Sequence, residues 1–309
     1  MRWTTYISPS DSAAHVALVE GNQLHGLRDS TRLLELLDNP DAMAAAAERA
    51  TTDPVEVLEL EAAEVLAPVP APPSVRDFYA FESHVLACAK ALDQPINPDW
   101  YELPVFYFQN PQATRGYRAD VEVAPGSTRF DFELEVAAVV GKAGKDLHPD
   151  EAEDHIAGFM LMSDWSARDL QAREMKQTMG PVKGKDTATS YGPWLVTPDE
   201  LGDHRGGNAY DLRMTASVNG RPYSEGNLGD LHWSFGQMMA YASRGARLVP
   251  GDIIGSGTVG TGCILELSLV HGEKEFPFLN VGDEVRLEVQ ELGFISTTIR
   301  QGSDVIPLR

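Results

Sequence analysis

Asp131, Glu133 and Glu135 recur at every second position of Arg129-Phe130-Asp131-Phe132-Glu133-Leu134-Glu135-Val136. Side chains alternate across an extended chain, so this spacing puts three carboxylates on one face and Phe130, Phe132, Leu134 and Val136 on the other. Residues two apart on such a face are ~6.5–7 Å apart at the backbone, close enough for two carboxylates to converge on one cation. Without a counter-ion they repel one another, and burial raises their pKa. The plainer alternative is a solvated face with Lys142 and Lys145 nearby. Asp164 closes the apolar run Gly158-Phe159-Met160-Leu161-Met162-Ser163 and is expected where a strand meets a loop. Together these acids form a hard, oxygen-rich set that suits Mg²⁺, with Mn²⁺ or Ca²⁺ as substitutes, and does not suit zinc.

Other residues offer acid–base and anion-binding chemistry. His84 follows Asp77-Phe78-Tyr79-Ala80-Phe81-Glu82-Ser83 at the start of an expected helix. Arg168 and Gln171 share a face at i, i+3 and can bind a carboxylate or an enol oxygen; a surface Arg168 paired with Asp169 or Glu174 is the alternative. Lys185 ends Gly180-Pro181-Val182-Lys183-Gly184-Lys185, which lacks the glycine spacing and the Ser/Thr of a phosphate loop. It can instead stabilise an oxyanion. Gly255-Ser256-Gly257 with Gly260 has the spacing GxGxxG, but Cys263 to Val270 reads as a strand. A dinucleotide fingerprint needs a helix there. Glu266, between leucines on that expected strand, requires a hydrogen-bond partner. There is no Gly-x-Ser-x-Gly elbow. Cys88 and Cys263 are the only cysteines, too few for a disulfide framework, which fits a reducing cytoplasm. Met238 and Met239 read as core filling.

These groups must be positioned by 309 residues carrying 25 Lys+Arg against 46 Asp+Glu, a net charge of -21. Such a surface repels phosphate backbones and acidic membranes, so neither nucleic acid nor a membrane is an expected partner. The N-terminus has no secretory apolar region, and no apolar run reaches the ~18 residues of a membrane span. Residues 1–68 read as a small N-terminal α/β domain: strands at Tyr6-Ile7 and Ala14–Glu20, a helix capped by Asp29-Ser30-Thr31 carrying Leu33, Leu34, Leu36 and Leu37, and an Ala-rich helix from Pro40 to about Ala50. Pro68, Pro70, Pro72 and Pro73 then favour an extended linker. Residues 69–309 hold many short strands and few helices, expected at Ser83–Leu92, Asp150–Ala157 and Ser234–Arg244. No βαβ rhythm is present, so the fold class is α+β with a large mixed sheet assembly.

Taken in order from Arg76 to about Glu288, these pieces resemble the fumarylacetoacetate hydrolase family. Asp77-Phe78-Tyr79 with His84 is similar to the family's segment of metal-binding Asp, substrate Tyr and catalytic His. Glu133-Leu134-Glu135 is similar to its metal-binding Glu-x-Glu strand. Ser163-Asp164-Trp165-Ser166-Ala167-Arg168-Asp169-Leu170-Gln171 resembles its most distinctive stretch, in which Asp164 would bind metal and Arg168 and Gln171 substrate. Gly184-Lys185 is similar to the active-site lysine. Gly257-Thr258-Val259-Gly260 followed by Leu265-Glu266-Leu267 is similar to the closing loop and the acid that orients the histidine. Tyr107 falls where the mammalian-type enzyme has a substrate tyrosine.

The resemblance implies a β-roll of mixed sheets in the large domain, a cytoplasmic homodimer, and Mg²⁺ on Asp77, Glu133, Glu135 and Asp164. It also implies catalysis by His84, Glu266 and Lys185, with Tyr79, Tyr107, Arg168, Gln171 and Thr258 on the substrate. The activity implied is hydrolytic C–C cleavage of a fumarylacetoacetate- or acylpyruvate-like 1,3-dicarbonyl, as in aromatic-compound catabolism. Two positions depart from the pattern. Ala89-Lys90-Ala91-Leu92-Asp93 lacks the mammalian-type arginine, with Lys90 its nearest substitute. Ala87 stands where the acylpyruvate-cleaving and decarboxylating relatives pair their histidine with a glutamate, so His84 is expected to pair with Glu266. Decarboxylation or enol–keto isomerisation of a 2-oxo acid is the alternative on the same site, and a non-catalytic acidic metal binder is the alternative of another class.

Overall fold

The computed structural model describes residues 1–28, 32–91 and 93–309. Its strands and helices include, in order, β1 (Arg2–Ile7), β2 (Ala14–Glu20), β3 (Gln23–Gly26), α1 (Pro40–Thr52), β4 (Val57–Glu59), β5 (Val75–Phe78), α2 (Glu82–Ala91), β6 (Phe106–Gln109), β7 (Leu134–Val140), β8 (Ile156–Asp164), α3 (Arg168–Glu174), β9 (Leu195–Val196), α4 (Phe235–Ala242), β10 (Ile253–Gly255) and α5 (Ile264–His271). The strands among them form one mixed sheet, ordered β4-β3-β2-β1-β9-β8-β7-β10-β5-β6. Four further long strands, Arg213–Val218, Arg221–Asn227, Glu284–Val289 and Gly293–Arg300, build a second antiparallel sheet to which Val121–Glu122 adds in parallel. Fold class α+β holds.

The strand β7 is covered on both faces. Leu134, Val136, Ala138 and Val140 enter a core shared with the second sheet, including Leu287 and Ile295. Ala137 and Val139 enter another with Met160, Met162, Ile253 and Trp3. Two-sided burial explains the nearly unbroken apolar run from Leu134 to Val140. The first 65 residues contribute β1 to β4, and β1 pairs with β9 at Arg2↔Val196 and Trp3↔Leu195. The hydrogen-bond ladder therefore runs from the N-terminal segment into the large sheet. Residues 66–74, the proline-rich stretch, cross without helix.

Four expected elements differ. Cys263 to Val270 is not a strand: Ile264–His271 is the helix α5, with Cys263 as its N-cap. The extended run from Phe130 is interrupted, with Phe130–Asp131 and Leu134–Val140 as separate strands. Asp150–Ala157 is helical only to His155, because Ile156 already opens β8. The helix expected over Leu33–Leu37 is a single 3₁₀ turn, Leu33–Glu35; its Leu33 and the following Leu36 and Leu37 are buried. Its expected cap, Asp29-Ser30-Thr31, lies outside the described residues, as does Leu92. The Ala-rich helix runs from Pro40 behind an Asn39 cap, and α4 begins with a Ser234–Gln237 capping box.

Gly255 is where sheet geometry meets chemistry. It pairs with Ala137 on one side and Asp77 on the other. A Cβ built on it would lie 2.5 Å from Asp77 Oδ1. Gly255→Ala should therefore cost ~1–3 kcal/mol of stability by overpacking and displace the Asp77 carboxylate. Denaturant unfolding and calorimetric Mg²⁺ titration test this; wild-type values in both would refute the steric assignment.

Candidate active site

Three strands of the sheet, β5, β7 and β8, and the segment before β7 deliver the carboxylates. Asp77 on β5 faces Tyr107 on β6 and Gly255 on β10 in register. Glu135 on β7 pairs with Met162 on β8, and Leu134 with Ser163, so Glu133 and Asp164 follow at the adjoining ends. Glu133 itself bridges to Cys263. One oxygen each from Asp77, Glu133 and Glu135 fit within 4.8 Å of one another, and all three residues are buried. Asp164 joins them through Lys185, whose Nζ lies 2.5 Å from both Glu133 Oε2 and Asp164 Oδ2. Glu133 and Glu135 thus meet on one centre, while the third alternating acid, Asp131, is buried elsewhere, so the run is not a solvated face.

The charge balance of this centre is unfavourable for carboxylates. Lys185 and Arg168 supply two buried cations. Burial works against the Glu133 carboxylate, yet Lys185 and Arg168 overcome it and hold its pKa well below the usual range. Burial and the charge of Glu133 push Asp77 up to about 6, despite Lys185. Burial, then the charges of Asp77, Glu133 and Asp164, drive Glu135 far upward. Asp164 rises as well, by burial and by repulsion from Glu133 and Asp77. Lys185 stays charged: burial disfavours its ammonium, but Asp164 and Glu133 more than compensate.

Among the described residues, the oxygens of the fully buried Glu135 have no donor other than a proton shared with the adjacent Asp77 carboxyl, and Asp164 Oδ1 has none. Leaving buried carboxylate oxygens unpaired is expensive unless a proton or a cation meets them. An all-oxygen set with these orphans fits Mg²⁺ or Mn²⁺, so Asp77, Glu133, Glu135 and Asp164 are the residues that would hold such an ion.

The structure brings His84 and Glu266 together: Nδ1 lies 2.5 Å from Oε2, and both side chains are buried. Glu266 reaches this position from the first turn of α5, where Thr261 N–H donates to its other oxygen at 2.9 Å. Burial alone would lower the His84 pKa, but Cys88 and Glu266 reverse this and raise it to about 9. The helix after the glycine-rich turn overturns the strand argument against a dinucleotide site, yet the N-terminus of α5 is already filled. Asp131 Oδ1 accepts from Ile264 N–H at 2.7 Å and Oδ2 from Leu265 N–H at 2.9 Å. Gly257, at φ +75, permits the turn to pass over the Phe78 carbonyl, while its N–H donates to Asp77 Oδ1 at 3.2 Å.

The expected substrate residues line the same region. Arg168 is buried and not a surface partner of Asp169 or Glu174. Its Nε donates to Asp131 at 2.7 Å and its Nη1 lies 2.8 Å from Glu133, which leaves Nη2 without a partner among the described residues. Gln171 Oε1 accepts from Arg168 Nη1 at 3.3 Å. Tyr107 O–H contacts Asp164 and lies 3.2 Å from Asp77 Oδ2. The Tyr79 ring meets His84 edge-on at 5.5 Å. Thr258 is buried in the closing turn, whereas Lys90 is exposed.

Two further residues, and the role of a third, escape sequence reasoning. Gln109 donates to Tyr107 Oη at 2.8 Å, and its place two residues after Tyr107 on one strand face is the available signal. Glu174 accepts from three consecutive amides, Val182, Lys183 and Gly184, at 2.9, 2.8 and 3.0 Å. It thereby pins the loop that carries Lys185, and no local pattern betrays it. Asp131, on the acidic run, serves as cap and Arg168 partner and not as part of the cation cluster.

Among known proteins, the family model described as fumarylacetoacetate (FAA) hydrolase C-terminal matches residues 74–300. Fumarylacetoacetase from Oryza sativa subsp. japonica is 31% identical over 268 residues, covering 68% of this chain and 62% of that protein. The chain thus spans less than two thirds of that relative's length. Oxaloacetate tautomerase FAHD2A, mitochondrial, from Homo sapiens is 29% identical over 303 residues, 96% of this chain and 90% of that protein. The solved maleylpyruvate hydrolase from Sphingobium sp. SYK-6, in complex with manganese (II) ion and pyruvate, superposes with a TM-score of 0.74 at 20% identity, over 98% of this chain and all of that one. No helix among the described residues is long and apolar enough to cross a membrane.

The shifted carboxyls make a pH prediction. Asp77 rises from an ordinary 3.8 to about 6 in the fold, so its contribution to stability is full below 3.8 and lost as pH rises through about 6. Glu135 and Asp164 act in the same direction, and His84, raised from 6.5 to about 9, loses its contribution as pH rises through about 9. Glu133 acts oppositely, its contribution fading as pH falls below its ordinary 4.5. Mg²⁺ competes with protons for these oxygens. Calorimetric melting with chelator and with Mg²⁺ should show a larger Mg²⁺-induced rise in Tm at pH 8 than at pH 5. An equal or inverted difference contradicts the assignment.

Proposed function

The chain belongs to the fumarylacetoacetate hydrolase family, and on that premise we propose that it is a divalent-metal-dependent hydrolase cleaving a C–C bond of a 1,3-dicarbonyl of the acylpyruvate or fumarylacetoacetate type. The observation that carries this reading is the His84 Nδ1–Glu266 Oε2 contact of 2.5 Å between buried side chains, with His84 near enough for its charge to act on Glu133 of the carboxylate cluster. A cation on Asp77, Glu133, Glu135 and Asp164 supplies Lewis-acid polarisation of the two substrate oxygens when bound.

The rest falls to the chain's own side chains. Glu266 accepts the Nδ1 proton and fixes the tautomer in which Nε2 is free. In the neutral fraction of the imidazole, which grows as pH approaches about 9, Nε2 takes a proton from water, whose hydroxide adds to one carbonyl carbon. The charged Lys185 ammonium and Arg168 Nη2 stabilise the negative oxygen that develops. The C–C bond then breaks, and His84 returns the proton to the departing carbon, which gives a carboxylic acid and a ketone. Tyr79, Tyr107, Gln171 and Thr258 orient the substrate. As part of the same reading the enzyme is a cytoplasmic homodimer, for which light scattering at micromolar concentration should give twice the chain mass.

A second reading, enol–keto isomerisation of a 2-oxo acid, draws support from His84 itself. With its pKa raised to about 9, the imidazole carries a proton at neutral pH, and a proton relay through His84 and Glu266 can move it between oxygen and carbon without water attack. The relative named as an oxaloacetate tautomerase, similar over nearly the whole chain, agrees with this reading.

Assay of the Mg²⁺-loaded protein against acylpyruvates, fumarylacetoacetate and oxaloacetate separates the two. Loss of enol absorbance with release of two smaller acids supports hydrolysis; loss with an unchanged molecular formula supports isomerisation; no turnover on any substrate sinks both. His84→Ala should lose ~10²–10⁴-fold in kcat and Glu266→Gln a sizeable part of that. The double variant should be little slower than His84→Ala, since the pair acts as one unit. Losses that multiply independently contradict the dyad. Glu133→Gln or Asp164→Asn should weaken Mg²⁺ binding in direct titration; wild-type affinity in both would remove these residues from the site.

A further inference from the structure

The two cysteines of the chain come from distant parts of the sequence and both converge on the His84–Glu266 pair. Cys88 stands one turn after His84 on α2, its Sγ 4.0 Å from both ring nitrogens. Cys263 caps α5, its Sγ accepting Glu266 N–H at 3.4 Å. Donor atoms of His84, Cys263 and Glu266 lie within 4.8 Å of one another, and all three residues are buried. The proposed reaction uses neither thiol.

The donor chemistry differs from that of the carboxylate cluster. Imidazole, thiolate and one carboxylate form the borderline-soft set that Zn²⁺ prefers and Mg²⁺ does not. The distances are also apt. Ligands around a tetrahedral zinc, with bonds of about 2.0–2.3 Å, sit roughly 3.3–3.8 Å apart. The Cys88–His84 sulfur–nitrogen separation of 4.0 Å needs to contract only slightly, the Cys263 sulfur starts within 4.8 Å of the other donors, and the His84–Glu266 contact must open by roughly 1 Å. We propose that His84, Cys263 and Glu266, with Cys88 as the fourth neighbour, form a second metal site for Zn²⁺ or a similarly thiophilic divalent ion, and that filling it removes the histidine from catalysis. The inhibitory part rests on the reading of His84 as the general base; the metal site itself does not. Binding is a ligand exchange without electron transfer: the Cys263 thiol proton and the proton shared by His84 and Glu266 pass to solvent.

The test uses the full-length protein with Mg²⁺ in saturating excess, so that the carboxylate cluster is filled. Zn²⁺ affinity is measured by competition with a chromogenic chelator, and Co²⁺ replaces Zn²⁺ for spectroscopy. Wild type should bind one Zn²⁺ that Mg²⁺ does not displace, and Co²⁺ should give a near-ultraviolet thiolate-to-cobalt charge-transfer band. Cys263→Ser keeps a helix-capping oxygen but should abolish the band and weaken Zn²⁺ by about tenfold or more, since even an outer partner of a metal ligand is worth 10–100-fold in affinity. Cys88→Ser should weaken Zn²⁺ less, and should leave the band in place if Cys263 is the thiolate ligand. No thiolate band in wild type, or Zn²⁺ affinity unchanged in both cysteine variants, or displacement by Mg²⁺, each overturns the site. Binding with the band but without loss of turnover keeps the metal site and overturns the general-base role of His84.

Discussion

Buried carboxylates outnumber buried cations at the centre of this molecule, and the surrounding structure is organised by that imbalance. Asp77, Glu133, Glu135 and Asp164 face inward, with Lys185 between two of them and Arg168 against Glu133. Taking one unpaired carboxylate out of water costs several kcal/mol, and two share too few donors here. The centre can therefore exist only with protons on some of these oxygens or with a divalent ion among them. Either way the charge state of the cluster is coupled to its occupant, as a reversible cation site requires.

Holding like charges together needs a stiff frame. The sheet supplies it: β5, β7, β8 and β10 fix the backbone of three acids, and Gly255 leaves the space that Asp77 fills. The second sphere supplies the rest. Asp131 neutralises Arg168 and ties it to the first turn of α5, so the helix that presents Glu266 is anchored to the same arginine that supports Glu133. The cation cluster and the histidine dyad are in this sense one hydrogen-bonded assembly.

Much of this was legible in residue order, because period-two alternation at Asp131, Glu133 and Glu135 and the strand-end position of Asp164 are local properties. The partnership of His84 with Glu266 came from the resemblance and from the need of a buried acid for a donor. What failed did so where tertiary contacts outweigh local pattern. Leu265-Glu266-Leu267-Ser268-Leu269 alternates like a strand, yet it is helical because Cys263 and Asp131 satisfy the amides of its first turn. Asp131 likewise shares the alternation with Glu133 and Glu135 but departs from their centre, since the extended run is interrupted at Phe132. Glu174 and Gln109 act through partners far away in the chain, which a local reading cannot pair.

The position of β10 has a consequence for how the protein is made. This strand lies between β7 and β5 and pairs in parallel with the latter, Gly255 beside Asp77. During synthesis Asp77 emerges long before its neighbour. Glu133, Glu135 and Asp164 can meet on the antiparallel pair β7–β8, but Asp77 has no seat beside them until residues 253–255 leave the ribosome and wedge into the sheet. A nascent chain therefore carries an incomplete set of oxygen ligands until that late insertion, and the cation site closes at the same step that completes the sheet.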